Sequence, residues 1–116
     1  MQLKMLSGYP DNVGRRHLWC GYGPGPTAYA PVSPTAGDVL QPPRFQFYFD
    51  SVIPGTSFNP TTNVAGTYLV YGVAFGVGAR LVWKLKWVTA SSGAEVAAGT
   101  DLSAFQVQLS GFGGQF

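Results

Sequence analysis

Seven of the nine prolines in this 116-residue chain fall between Ser7 and Pro43, with six glycines among them. Each proline lacks a backbone donor and pushes the residue before it into extended backbone. A helix cannot run through such a segment, and a strand fits only between prolines, as over Arg16-His17-Leu18-Trp19-Cys20. The segment is nonetheless not built like a disordered linker, because Tyr9, Leu18, Trp19, Tyr22, Tyr29 and Val39 need dry surroundings. An irregular stretch this long in a small domain is normally functional or disordered. The expectation is therefore an extended arm that lays its aromatic side chains along a partner.

After Pro43 the pattern acquires a period of two. Arg44 to Asp50 puts Phe45, Phe47 and Phe49 on one face and Gln46 and Tyr48 on the other. Thr67 to Val77 is apolar on both faces, as in a central strand, and its glycines mark a bend, a bulge or a close backbone approach. Arg80 to Val88 alternates most cleanly, with Leu81, Trp83, Leu85 and Trp87 in phase and Lys84 and Lys86 opposite. The short Gly76–Ala79 link predicts that these two strands form a hairpin. Ala104 to Ser110 alternates again, with Phe105, Val107 and Leu109 inward. A short strand is expected over residues 2–6, with Gln2 and Lys4 outward and Leu3 and Met5 inward or mixed. The stretch Pro54 to Asn63 reads as a turn-rich loop with Asn63 or Gly66 available for positive φ, and Gly111 to Phe116 reads as a tail. With no helical pattern longer than a turn and no internal repeat, the chain is expected to be all-β. It should form one β-sandwich or barrel, a jelly roll included, flanked by arm and tail. The boundaries are 1–43 for the first strand and arm, 44–110 for the compact β unit and 111–116 for the tail.

Charge removes several function classes. Lys and Arg number 7 and Asp and Glu 5, a net charge of +2, and the basic residues are too scattered to form a phosphate-binding groove. The 29 residues from Ser51 to Ala79 carry no charge at all, but their most apolar part, Val64 to Ala79, is 16 residues with four glycines. That is short of the roughly 20 residues a spanning helix needs. The ending Gly111 to Phe116 lacks the sustained alternation of an outer-membrane strand. No signal peptide is expected from the opening Met1 to Ser7, and Cys20 is a single cysteine.

Catalytic and metal chemistry are equally thinly supplied. His17 and Cys20 form an H-x-x-C spacing, but zinc needs three or four ligands and the chain holds one of each. As a nucleophile pair they also fail, since residues three apart on a strand point to opposite faces. Asp11, Asp38, Asp50, Glu95 and Asp101 mostly sit beside turn residues and show no pairing at informative spacing. Trp83 and Trp87 interleaved with Lys84 and Lys86 suggest a stacking platform for nucleic acid or glycan. Their phase with Leu81 and Leu85 assigns them to the core instead. No enzyme activity, cofactor or metal is expected.

In its assembly of parts the chain resembles the small capsid decoration, or cement, proteins of tailed bacteriophages. The residues that carry the likeness are the Pro/Gly arm Ser7 to Pro43, the β unit Arg44 to Ser110 and the Gly/Phe tail. The resemblance implies a β-rich virion protein on the capsid surface, assembled in the host cytoplasm, trimeric, with arms gripping neighbouring coat subunits. The expected interface residues are Arg15, Arg16, Trp19, Tyr22, Tyr29, Phe112 and Phe116, with no nucleic acid and no membrane as partner. A coat, tail or neck component is the near alternative. A carbohydrate-binding β-sandwich using exposed aromatics is the alternative from another class.

Overall fold

A computed structural model describes residues 1, 3–6, 11–13, 16–41, 47–77 and 80–115. The described residues contain no helix and nine strands: β1 (Lys4–Met5), β2 (Asp11–Val13), β3 (Arg16–Pro24), β4 (Asp38–Val39), β5 (Phe47–Ile53), β6 (Gly55–Asn59), β7 (Val64–Val77), β8 (Arg80–Thr89) and β9 (Gln106–Gln115). All belong to one sheet, in the order β1-β3-β9-β6-β7-β8-β4, with β2 on β3 and β5 on β9. Every pairing is antiparallel. The sheet curls into a half-barrel whose inner face carries the core.

The hairpin expected from the two most regular strands is present as β7 and β8, in register from Tyr68 opposite Thr89 to Val77 opposite Arg80. Alternation dictates the faces. Leu85 and Trp87 point inward and are fully buried, as are Trp19, Val70 and Leu102. On β9, Val107 and Leu109 point inward while Gln106 and Gln108 face out. Gly72 is the close approach that its place in an apolar strand suggested: a Cβ there would stand 2.7 Å from Val52 Cβ and 3.0 Å from the Trp83 ring. Trp83 in turn donates its indole N–H to the Phe49 carbonyl at 2.9 Å, tying β8 to β5 across the curl.

Three expectations fail for identifiable reasons. The stretch Gly111 to Gln115 is not a tail but the second half of β9, held between β3 on one side and β5 on the other. Its glycines lack the side chains by which a strand is usually recognised, yet two of them are where neighbours come closest. A Cβ on Gly111 would run into the Ser51 carbonyl oxygen and lie 2.9 Å from the Trp19 ring. The loop expected over 54–63 contains strand β6. Its ladder to β7 is interrupted by a bulge between Thr56 and Phe58, and buried Ser57 bridges there. Its hydroxyl donates to the Tyr68 carbonyl at 3.0 Å and accepts the Tyr68 N–H at 3.1 Å. The turn beyond places Asn63 (φ 58°) in the left-handed region, and Gly66 (φ 80°), near the start of β7, adopts it too.

Residues 16–41 of the expected arm lie on the chain's own sheet. β3 pairs with β9 over eight residues, and residues 25–29 then run beside 99–105, joined by backbone bonds such as Gly25 N to Phe105 O at 2.9 Å and Leu102 N to Pro26 O at 2.8 Å. The physical reason is supply and demand. Trp19, Tyr29 and Leu40 need burial, and the curled sheet offers an uncovered apolar face to bury them. The remaining arm residues 7–10, 14, 15, 42 and 43, with the strand start at 44–46, lie outside the described residues.

Candidate functional site

Two polar clusters hold the 25–41 segment against β8, whose edge would otherwise be open. Lys84, 8% exposed, donates its ammonium to the carbonyls of Ser33 at 2.9 Å, Ala36 at 3.0 Å and Pro34 at 3.4 Å. It also stands 5.1 Å from the centre of the Phe75 ring. A buried cation is tolerated when its donors are met in this way. In the second cluster the Trp87 N–H donates to the Tyr29 hydroxyl at 3.1 Å. That hydroxyl donates to Glu95 Oε2 at 2.8 Å, and the same oxygen accepts the Val32 N–H at 2.8 Å.

Burial, reinforced by the nearby Glu95 carboxylate, pushes the Tyr29 phenol well above its ordinary value. The folded protein thus keeps this proton where the unfolded chain has lost it. The associated stability is complete below about pH 10 and is lost as pH rises further. Tyr29→Phe leaves the Trp87 N–H unpaired and should cost about 1–3 kcal/mol at neutral pH. It should also make the alkaline fall in stability shallower. Urea midpoints of both proteins between pH 7 and 11 check this, and equal midpoints at pH 7 would contradict it.

The carboxylates of Asp38, Asp50 and Asp101 are likewise absorbed by local structure. Asp38 accepts the Met1 amine at 2.7 Å, and Asp50 pairs with Arg16. Asp101 accepts the Ser103 hydroxyl at 2.6 Å and its N–H at 2.9 Å. Those two bonds hold the Asp101 carboxyl below the usual carboxylate range. Among the described residues no three His, Cys, Asp or Glu side chains gather as metal ligands. His17 pairs in register with Gly113 and Cys20 with Ser110, which places them on opposite faces of β3. Gln108 Nε2 donates to the Cys20 sulfur at 3.1 Å.

The expected interface residues scatter. Trp19 is 0% and Tyr29 2% exposed, both inside the fold rather than on an extended arm: the curled sheet supplies the dry surface that the arm reading sought elsewhere. Arg16 is engaged with Asp50 and with the Tyr48 hydroxyl at 3.4 Å. Phe112 is half-buried on the outer face of β9, opposite Leu18 and Ser51. Arg15 and Phe116 lie outside the described residues. Among the described arm aromatics Tyr22, 37% exposed, is the one left on the surface, and a groove surrounds it.

That groove crosses β1, β3, β9 and β6. One cavity of about 350 Å³ is lined by Leu6, Tyr22, Thr56, Phe58, Gln106 and Gln108, with Val107 at its floor. A second, of about 200 Å³, continues past Tyr22 and Gln106 to Lys4, Gly23 and Pro24. Register explains the convergence. Tyr22 lies between Lys4 of β1 and Gln108 of β9, and Gln106 lies between Pro24 of β3 and Phe58 of β6. Phe58 escaped the sequence reading because it sits in what looked like a loop, although Thr56 and Phe58 already alternate with Gly55 and Ser57. Gln106 and Gln108 are the outward residues of a strand identified by its inward ones. The chain matches no protein-family model, no curated protein and no solved structure.

Proposed function

We propose that the chain is a non-enzymatic structural protein of a virion, a decoration or cement subunit that stabilises the capsid surface through contacts with neighbouring subunits and with copies of itself. In fold terms we read the curled sheet as an incomplete barrel, and in location as a protein assembled onto particles in the host cytoplasm. The supporting observation is the outward face of the sheet. Tyr22, Ile53, Phe58 and Tyr71 are 37%, 46%, 39% and 37% exposed, and register puts all four on that face. Exposed aromatic and aliphatic side chains on a chain with 10% charged residues suit a surface that neighbours cover. The gripping contacts then run through the sheet face, with Phe112 beside it, rather than through Trp19 and Tyr29.

Sedimentation of the purified chain, alone and with capsids of the virus that carries its gene, tests this. The chain should travel with the particles, and an Ile53→Glu, Tyr71→Glu double variant with an unchanged melting temperature should stay in the supernatant. A wild-type chain that remains monomeric and leaves the particles unbound would overturn the reading. Sedimentation with tails or necks instead would assign it to those components.

A further inference from the structure

We infer that the groove between Tyr22 and Phe58 is a binding site for a neutral oligosaccharide, with two linked pyranose rings seated across β9. The groove takes in two of the four face residues of the virion reading, Tyr22 and Phe58, and the variants below tell the two readings apart.

The argument starts from register. Tyr22 is opposite Gln108 and Phe58 opposite Gln106, so the two aromatic residues flank β9 with an offset of two residues. Two strand spacings and that offset put their backbones about 10–12 Å apart, the scale of a disaccharide. Both rings are more than a third exposed, although burial was available to Trp19 and Tyr29 nearby. Between them stand two outward carboxamides. Gln106 carries donors and acceptors together, and Gln108, whose Nε2 also donates to Cys20, keeps its carbonyl oxygen and a second N–H; that mixture is what a sugar's hydroxyl groups ask of a site, while its C–H faces pack on aromatic rings. Thr56 adds a hydroxyl at the β6 side.

Charge selects among ligand classes. The larger cavity is lined by no charged side chain, and the smaller one holds a single cation, Lys4, opposite Tyr22 in register. A single-stranded nucleic acid would need cations tracking its backbone, and a phosphate would need converging donors with positive charge. An uncharged polyhydroxylated ligand matches the lining. At about 350 Å³ the main cavity also has the volume of a small-ligand site.

The test is a titration of the full chain with neutral gluco-, manno-, galacto- and N-acetylglucosamine di- to tetrasaccharides, followed by amide chemical shifts. At least one series should shift the amides of Tyr22, Phe58, Gln106 and Gln108, with the disaccharide binding more tightly than its monosaccharide. Tyr22→Ala and Phe58→Ala should each weaken that binding about tenfold, the loss of one packed aromatic contact, with melting temperatures unchanged. Gln106→Leu should do the same while retaining volume. No shift by any of these saccharides at millimolar concentration, or shifts confined to other residues, would overturn the site. So would a Tyr22→Ala chain that lost self-association or particle binding and bound the saccharide as before, since the groove would then hold protein.

Discussion

Gly111→Ala is expected to destabilise the protein by about 3 kcal/mol or more, the upper end of what overpacking costs. The added methyl has nowhere to go. On one side stands the Ser51 carbonyl, a backbone atom fixed by the β5–β9 ladder, and on the other the Trp19 ring at 2.9 Å. Relief would require β5 to move away from β9 or Trp19 to leave the core. Gly76→Ala is the matched control: it lies in β7, and a Cβ there meets nothing within 4 Å. That substitution should leave stability unchanged or raise it by about 0.5–1 kcal/mol through reduced freedom of the unfolded chain. Thermal melts of the two variants separate a central strand from a loose tail, because a tail would make both alanines equally harmless.

The contrast between Gly111 and Leu85 shows where sequence patterns carry information about this fold. Leu85 sits in a run whose alternation names its face directly, and β8 and the first half of β9 were legible for that reason, while β7 was legible as a run apolar on both faces. Gly111, Gly113 and Gly114 belong to the same strand β9, but strand periodicity is written in side chains, and glycines have none to write it with. Their meaning lies in what approaches them, and Trp19 and Ser51 are remote in sequence. The segment 16–41 poses the opposite problem. Its prolines and glycines describe its irregularity correctly, while its destination depends on a sheet assembled largely from later residues. The Lys84 and Tyr29 clusters that pin it pair residues between 48 and 66 positions apart, a relation no local pattern expresses. The groove was half legible: Tyr22 was among the expected surface aromatics, whereas Phe58 required recognising β6 after Pro54.

Trp19→Ala should cost about 3–5 kcal/mol, the range for emptying a buried aromatic site, whereas Tyr22→Ala, three residues away, should change stability by no more than about 0.5 kcal/mol. The difference follows from the strand's two faces. Trp19 is fully buried, 4.7 Å from the Phe49 ring between centroids, and forms part of the wall against which Gly111 packs. Tyr22 points outward into the groove. For a domain of this size the first variant should lose more than about 12 °C in melting temperature, a large share of a total stability near 5–15 kcal/mol. Trp19→Phe sharpens the test, because Trp19 Nε1 is buried without an acceptor among the described residues. Phenylalanine keeps much of the ring while removing that unpaired donor, so its cost should fall well below that of alanine. An arm that met its partner through Trp19 would behave in the reverse way: Trp19→Ala would leave the melt intact and abolish particle binding. Measuring both quantities on the same three variants therefore decides whether the aromatic residues of the proline-rich segment hold this protein together or hold it to something else.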